Sequence, residues 1–297
     1  MGYPSITINW ISTIIALVAL GIASYTDLKT REVPDWLSYG LVITGVAMNG
    51  IFSVALGNAS FILHSLLGFG IFFGLAMLMF YTGQWGGGDS KILMGLGAVI
   101  GWPLPFQQPS LLFAFLVNIL VVGGAYGLLW SISLAIKNWR RVKKELKKLR
   151  KEKGFVKAFP VAAALAIVLL AMAFIVQDGL FRIFWVIPAG MVLLMFYAWI
   201  FLKAVEKASM IKWVTPDKLT EGDWIAEEVK VSGKYICGPK DLGIEKKQIA
   251  LLKELYRKKK IGKILVKEGI PFVPSFFIAF IVSMVWGNLI LMILQNI

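Results

Sequence analysis

Ile6-Thr-Ile-Asn-Trp-Ile-Ser-Thr-Ile-Ile-Ala-Leu-Val-Ala-Leu-Gly-Ile-Ala-Ser-Tyr25 carries no charge over 20 residues, and Thr26-Asp27-Leu-Lys-Thr-Arg-Glu-Val-Pro34 follows it. A helix of about 20 apolar residues rises about 30 Å, the thickness of a bilayer's hydrocarbon core. The chain therefore opens with a membrane span that ends in a short polar loop. The same alternation recurs, giving spans at 6–25, 36–56, 61–82, 90–106, 110–136, 158–176, 181–203 and 272–295. With 297 residues, 58% of them hydrophobic, and a mean hydropathy of +0.75, the sequence predicts an all-α polytopic membrane protein. It has about eight transmembrane helices and a small α/β cytosolic module. A cleavable signal peptide is not expected, because no basic region precedes the first apolar segment and no clear small-residue cleavage site follows it.

The net charge of +14 is explained by topology. With the N-terminus outside, the loops at 26–35, 83–91, 137–157 and 204–271 become cytosolic. These loops and their immediate boundaries hold every Lys and Arg except Arg182, as the positive-inside rule requires. No nucleic-acid motif accompanies the basic residues, so nucleic acid is not an expected partner. Segment 137–157 carries eleven basic and two acidic residues. Trp139, Val142, Leu146 and Leu149 recur there at helical spacing, which predicts a cytosolic helix lying along the anionic inner leaflet.

Five segments follow from this pattern: a membrane core at 1–136, the basic helix or loop at 137–157, two further spans at 158–203, the cytosolic module at 204–271, and a final span at 272–297. Within the module, Trp224 to Ile236 has β-type stretches broken at Ser232-Gly233. Ile244 to Lys260 has a helical period with Ile249, Leu252 and Tyr256 on one face, and Lys263 to Val266 reads as another strand. A module of this size buries little core alone, so packing against the membrane core or the basic helix is expected.

Against this background the acids stand out. The first 136 residues contain only Asp27, Glu32, Asp35 and Asp89. Two spans separate Asp27 from Asp89, and an even number of crossings puts both on one side of the membrane. Ionisable groups at a membrane boundary are costly and usually functional. Two nearby carboxylates can share one proton, so that one acts as a base on water while the other polarises a carbonyl. Gly86-Gly-Gly-Asp89 leaves the second carboxylate among residues without side chains, at the expected start of a helix. The rare residues exclude other chemistries. His64 is predicted near the outer face and Cys237, the only cysteine, in the cytosolic module, so they cannot pair. Paired His or Cys ligands for zinc are absent, and no metal or other cofactor is expected. Ser90 and Lys91 are adjacent and would not face each other on a helix.

Asp27 with Val33-Pro34-Asp35, and Gly86-Gly-Gly-Asp-Ser-Lys-Ile-Leu93 followed by Gly95 and Gly97, closely resemble the prepilin peptidase family of membrane aspartic proteases. Gly269-Ile-Pro-Phe-Val-Pro274 resembles that family's proline-containing segment, and the cytosolic module looks like the C-terminal part of archaeal members. The resemblance implies an aspartic endopeptidase that removes a short basic leader from type IV pilin-like or archaellin precursors at the cytosolic membrane face. Asp27 and Asp89 would be the catalytic pair, with Gly86, Gly88 and Lys91 completing the second motif. Glu32 and Asp35 would supply negative charge toward the basic leader. The cysteine-rich insertion common in N-methylating bacterial relatives is missing. The competing class is a proton- or cation-coupled transporter using the same aspartates, against which the spans show no inverted repeat.

Overall fold

Inside a bilayer, backbone N–H and C=O groups must pair within their own segment because no water is there to bond them. The long apolar runs of this chain are accordingly helices in its computed structural model, which describes residues 3–104, 110–231 and 233–295. In chain order the helices are α1 (Tyr3–Thr30), α2 (Asp35–Ala55), α3 (Ser60–Tyr81), α4 (Gly87–Ile100), α5 (Leu111–Lys137), α6 (Trp139–Leu149), α7 (Lys153–Ile175) and α8 (Gly179–Val205). A π-helical turn at Glu206–Met210 leads into β1 (Ile211–Val214), β2 (Trp224–Ile225), β3 (Val229–Val231) and β4 (Lys234–Cys237). Then come α9 (Lys246–Arg257), β5 (Ile264–Lys267), α10 (Val273–Trp286) and α11 (Leu289–Gln295).

Among the described residues six helices are long and apolar enough to cross a membrane, and α10 with α11, bent by 41°, makes a seventh if taken as one span. The expected eighth is the difference. α4 has 14 residues, a rise of only about 21 Å. It stops at Gly101, whose φ is +73°, instead of running to 106. Pro103 follows, and a residue before proline is disfavoured in the helical region. The end of that expected span, residues 105 and 106, lies outside the described residues, as does most of the outer loop expected from Trp102 to Pro109.

The chain forms two compact units. The first comprises Met1–Leu128, Pro216–Gly262 and Gly269–Ile297. At its heart is α4, with Ile92, Leu93, Leu96 and Val99 fully buried. Small residues let its neighbours come close. A Cβ at Gly68 of α3 would lie 2.2 Å from the Gly97 carbonyl oxygen, and one at Gly45 of α2 would lie 2.6 Å from the Ala98 carbonyl carbon. Such backbone-to-backbone approach is how membrane helices gain packing energy without a hydrophobic driving force. Phe72, Phe115, Phe276 and Phe280 complete the core.

The break between α10 and α11 is also explained by this unit. Gly287 has φ +66°. Asn118 of α5, fully buried, donates to Ser283 Oγ at 2.9 Å and to the Gly287 carbonyl at 2.7 Å, and accepts from the Leu289 N–H at 3.0 Å. One side chain thus serves the backbone groups that the bend releases. In the same unit β3 and β4 pair antiparallel, with Val231 opposite Lys234. Ile249 and Leu252 of α9 are buried as their spacing implied, while Tyr256 is half-buried.

The second unit comprises Leu129–Thr215 and Lys263–Glu268. β1 and β5 pair antiparallel here, Ile211 opposite Lys267, and Lys267 makes an ion pair with Glu206 at 2.9 Å. The basic α6 differs from its expected setting. Val142 and Leu149 are buried against Ala135, Ala204 and Val205, with Leu146 packed alongside. Its apolar stripe is therefore occupied by protein, leaving Trp139 exposed beside the outward cations.

Candidate active site

Asp27 was expected in a loop and lies instead on α1, which continues through Asp27-Leu-Lys-Thr30. Leu and Lys are good helix formers whatever their hydropathy, so the helix outlasts the apolar run. It ends where Arg31 adopts φ +63° while its N–H still bonds the Asp27 carbonyl at 3.0 Å. The Asp27 side chain is buried, 6% exposed. Its Oδ2 accepts a hydrogen bond of 3.0 Å from the backbone N–H of Val273, the first residue of α10.

Asp89 sits in the first turn of α4, half-buried, and its Oδ2 accepts the Gly86 N–H at 3.1 Å. Asp89 lies within electrostatic reach of Asp27. Asp27 thus takes its hydrogen bond from the Val273 N–H, with the Phe272 amide also acting on it, and Asp89 takes its own from Gly86. Gly88 is closely packed here. A Cβ there would lie 3.2 Å from Val33 Cβ and Cγ2 and 3.3 Å from the Val33 amide nitrogen. The loop after α1 thus lies directly against the start of α4. Gly86 needs no such space, its Cβ position meeting only Asp89 Oδ2 at 3.4 Å.

Around the pair, Lys91 Nζ makes an ion pair of 2.6 Å with Asp35 Oδ1 and lies 5.6 Å from the Tyr39 ring centre. This changes the reading of Asp35, whose charge is matched by Lys91 and joins α4 to the start of α2. Glu32 is exposed and makes no ion pair among the described residues. Beside the Asp27-bearing helix, an apolar cleft of about 370 Å³ is lined by Ile14, Val18 and Ile22 of α1 and by Trp36, Gly40 and Thr44 of α2, among others.

Several residues near the carboxylates were not found by sequence reasoning. The Arg31 guanidinium donates to the Gly269 carbonyl at 2.7 Å, and both Arg31 and the Tyr126 phenol are within electrostatic reach of Asp27. Trp85 packs at 5.2 Å between centroids on Phe276 and 6.5 Å on Phe272. The signal for this group was the segment Gly269 to Pro274, which carries the Val273 donor in its backbone.

The residues set aside earlier have other tasks. His64 Nε2 accepts the Leu104 N–H at 3.0 Å and its carbonyl accepts the Trp102 N–H at 2.7 Å, holding the turn after α4. Ser90 is buried and donates to the Ala76 carbonyl at 3.3 Å, away from Lys91. Burial, then the neighbouring Asp241, pushes the Cys237 thiol up to about 11, which leaves little thiolate at neutral pH. Among the described residues no three His, Cys, Asp or Glu side chains group as a metal site.

Comparison with known proteins gives one consistent answer. Residues 14–128 match the type IV leader peptidase family. The chain is 39% identical over 100 residues to a preflagellin peptidase of Methanocaldococcus jannaschii, covering 33% of this chain and 42% of that one. It is 42% identical over 86 residues to a preflagellin peptidase of Methanococcus voltae, covering 29% and 36%. A prepilin peptidase, EppA, of Methanothermobacter thermautotrophicus is 26% identical over 119 residues, covering 40% and 30%. The matches thus span less than half the length of these relatives. No solved structure matches significantly.

Proposed function

We propose, from the match of residues 14–128 to the type IV leader peptidase family, that this multi-pass membrane protein is an aspartic endopeptidase. It removes a short basic leader from type IV pilin-like or archaellin precursors. The observation that carries this reading is that Asp27 and Asp89, on separate helices of one compact unit, each accept a backbone N–H, from Val273 and Gly86 respectively. The basic loops support a cytosolic active site and an external N-terminus.

In the reaction, the ionised carboxylate of the pair takes a proton from water while the protonated one donates a hydrogen bond to the scissile carbonyl oxygen. The water oxygen adds to the carbonyl carbon, giving a tetrahedral intermediate. Collapse breaks the C–N bond, and the proton first taken from water passes to the leaving amine. The two acids finish with one proton between them, as they began. Gly86 and Gly88 keep side chains off the second motif, and Lys91, through Asp35, ties the start of α4 to α2. Glu32 is the uncompensated negative charge beside Asp27 and attracts the basic leader. The apolar cleft between α1 and α2 would flank the precursor's hydrophobic helix. The outward cations of α6 attract the anionic headgroups of the inner leaflet, each contributing on the order of 1 kcal/mol.

The test is mass analysis of a pilin-like or archaellin precursor incubated with the purified protein. A leader fragment and a shortened product are expected. An intact precursor under conditions in which the protein is folded would overturn the reading.

A further inference from the structure

Asp27 takes its main backbone donor from the opposite end of the chain, Val273 at 3.0 Å, with the neighbouring Phe272 amide acting on it more weakly. The first N–H groups of a helix have no partner within the helix, and their end of the dipole favours negative charge. Val273, as the first residue of α10, therefore has an amide free to bind a carboxylate. What aims that amide is a set of contacts on the preceding residue. The Phe272 ring reaches α5 where a Cβ at Gly123 would lie only 2.7 Å from its Cζ. It packs on Phe276 at 5.5 Å and Trp85 at 6.5 Å between centroids. Trp85 directly precedes Gly86, the residue whose N–H binds Asp89. Upstream, the Gly269 carbonyl is held by the Arg31 side chain at 2.7 Å. One aromatic cluster thus links the two backbone donors that the two carboxylates use.

We propose that Val273, held by Phe272 and Trp85, is a positioning residue of the active site: its amide fixes the Asp27 carboxylate in the orientation that faces Asp89. The catalytic apparatus then extends beyond residues 14–128 to the segment 269–273. This rests on the peptidase reading above. The consequence is that losing the donor slows the chemical step without weakening precursor binding, because the carboxylate is misaimed while the surfaces that hold the precursor are unchanged.

Proline is tolerated at the first position of a helix and has no N–H, so Val273→Pro deletes the main donor, leaving the weaker Phe272 amide, and Val273→Ala isolates the side-chain change. The full-length protein in detergent is assayed for kcat and KM on a precursor, with the melting temperature as a check on folding. The expected result is a kcat at least tenfold lower for Val273→Pro than for Val273→Ala, at equal KM. Equal kcat values for the two variants would overturn the proposal. Should Val273→Pro not fold, Phe272→Leu decides: a lower kcat at unchanged KM supports it, and a change confined to KM or to the folded fraction overturns it. Failure of the wild-type protein to cleave the precursor would instead overturn the peptidase reading, so the two failures are distinct.

Discussion

Gly88 shows how much can depend on one hydrogen atom in place of a methyl group. Gly88→Ala would place Cβ about 3.2 Å from Val33, tight enough that the loop after α1 must retreat from α4. A fall in kcat is expected, with partial recovery in Gly88→Ala/Val33→Ala, since the second change removes Cγ2 and leaves Cβ. Gly87→Ala, whose Cβ would have its nearest neighbour at 3.8 Å, should have a smaller effect. Charge acts at the same scale. Because Asp35 is engaged by Lys91, the proposed attraction of a basic leader is tested at Glu32. Glu32→Gln is expected to weaken processing of a basic leader more than of a neutralised one, by about 0.2–1 kcal/mol for an exposed pair. High salt should narrow the difference, and equal losses at every salt concentration would contradict it. Asp27 and Asp89 were legible in the sequence because a charge in an apolar chain is conspicuous. Val273 was not, because a backbone amide leaves no side-chain signature, and Trp85 and Phe272 are aromatic residues among many.

Among the elements, α4 is the one whose setting hydropathy misjudged. Its apolar residues predicted a span to 106, yet they serve a helix of 14 residues enclosed by protein. Hydropathy does not distinguish an apolar surface facing lipid from one facing other helices. Polar residues misled in the opposite direction at the end of α1, where helix propensity carried the helix past Asp27. The glycines resolve the packing. Gly68→Ala or Gly97→Ala would drive a Cβ to within 2.2–2.3 Å of the opposing backbone, and overpacking of this kind typically costs 1–3 kcal/mol. Thermal unfolding in detergent should show a marked loss for either, whereas Gly70→Ala, with nothing within 4 Å, should be nearly neutral. The strands of 224–237 were readable because Ser232-Gly233 punctuates them, and Gly233 does adopt φ +79°. The environment of α6 was not, since an amphipathic stripe is the same whether it packs on lipid or on Ala135, Ala204 and Val205.

For the whole molecule, the proposed orientation follows from the distribution of Lys and Arg. Reporters fused after Lys151 or Lys240 should be cytosolic, and those after Gly57 or Asp178 external. Cysteines introduced at the exposed positions 28 and 84 should label from the same side, and the buried Cys237, with its thiol near 11, should contribute little background. Opposite-side labelling would separate the two aspartates and remove the shared site. The central claim is that these aspartates work as one unit. Single-turnover cleavage of a precursor by wild type, Asp27→Asn, Asp89→Asn and the double variant measures this directly. A carboxamide keeps the size and loses the exchangeable proton, so each single change should slow cleavage by ~10²–10⁴-fold and the double change no further. Substantial cleavage by either folded single variant, or losses that multiply in the double variant, would contradict the account.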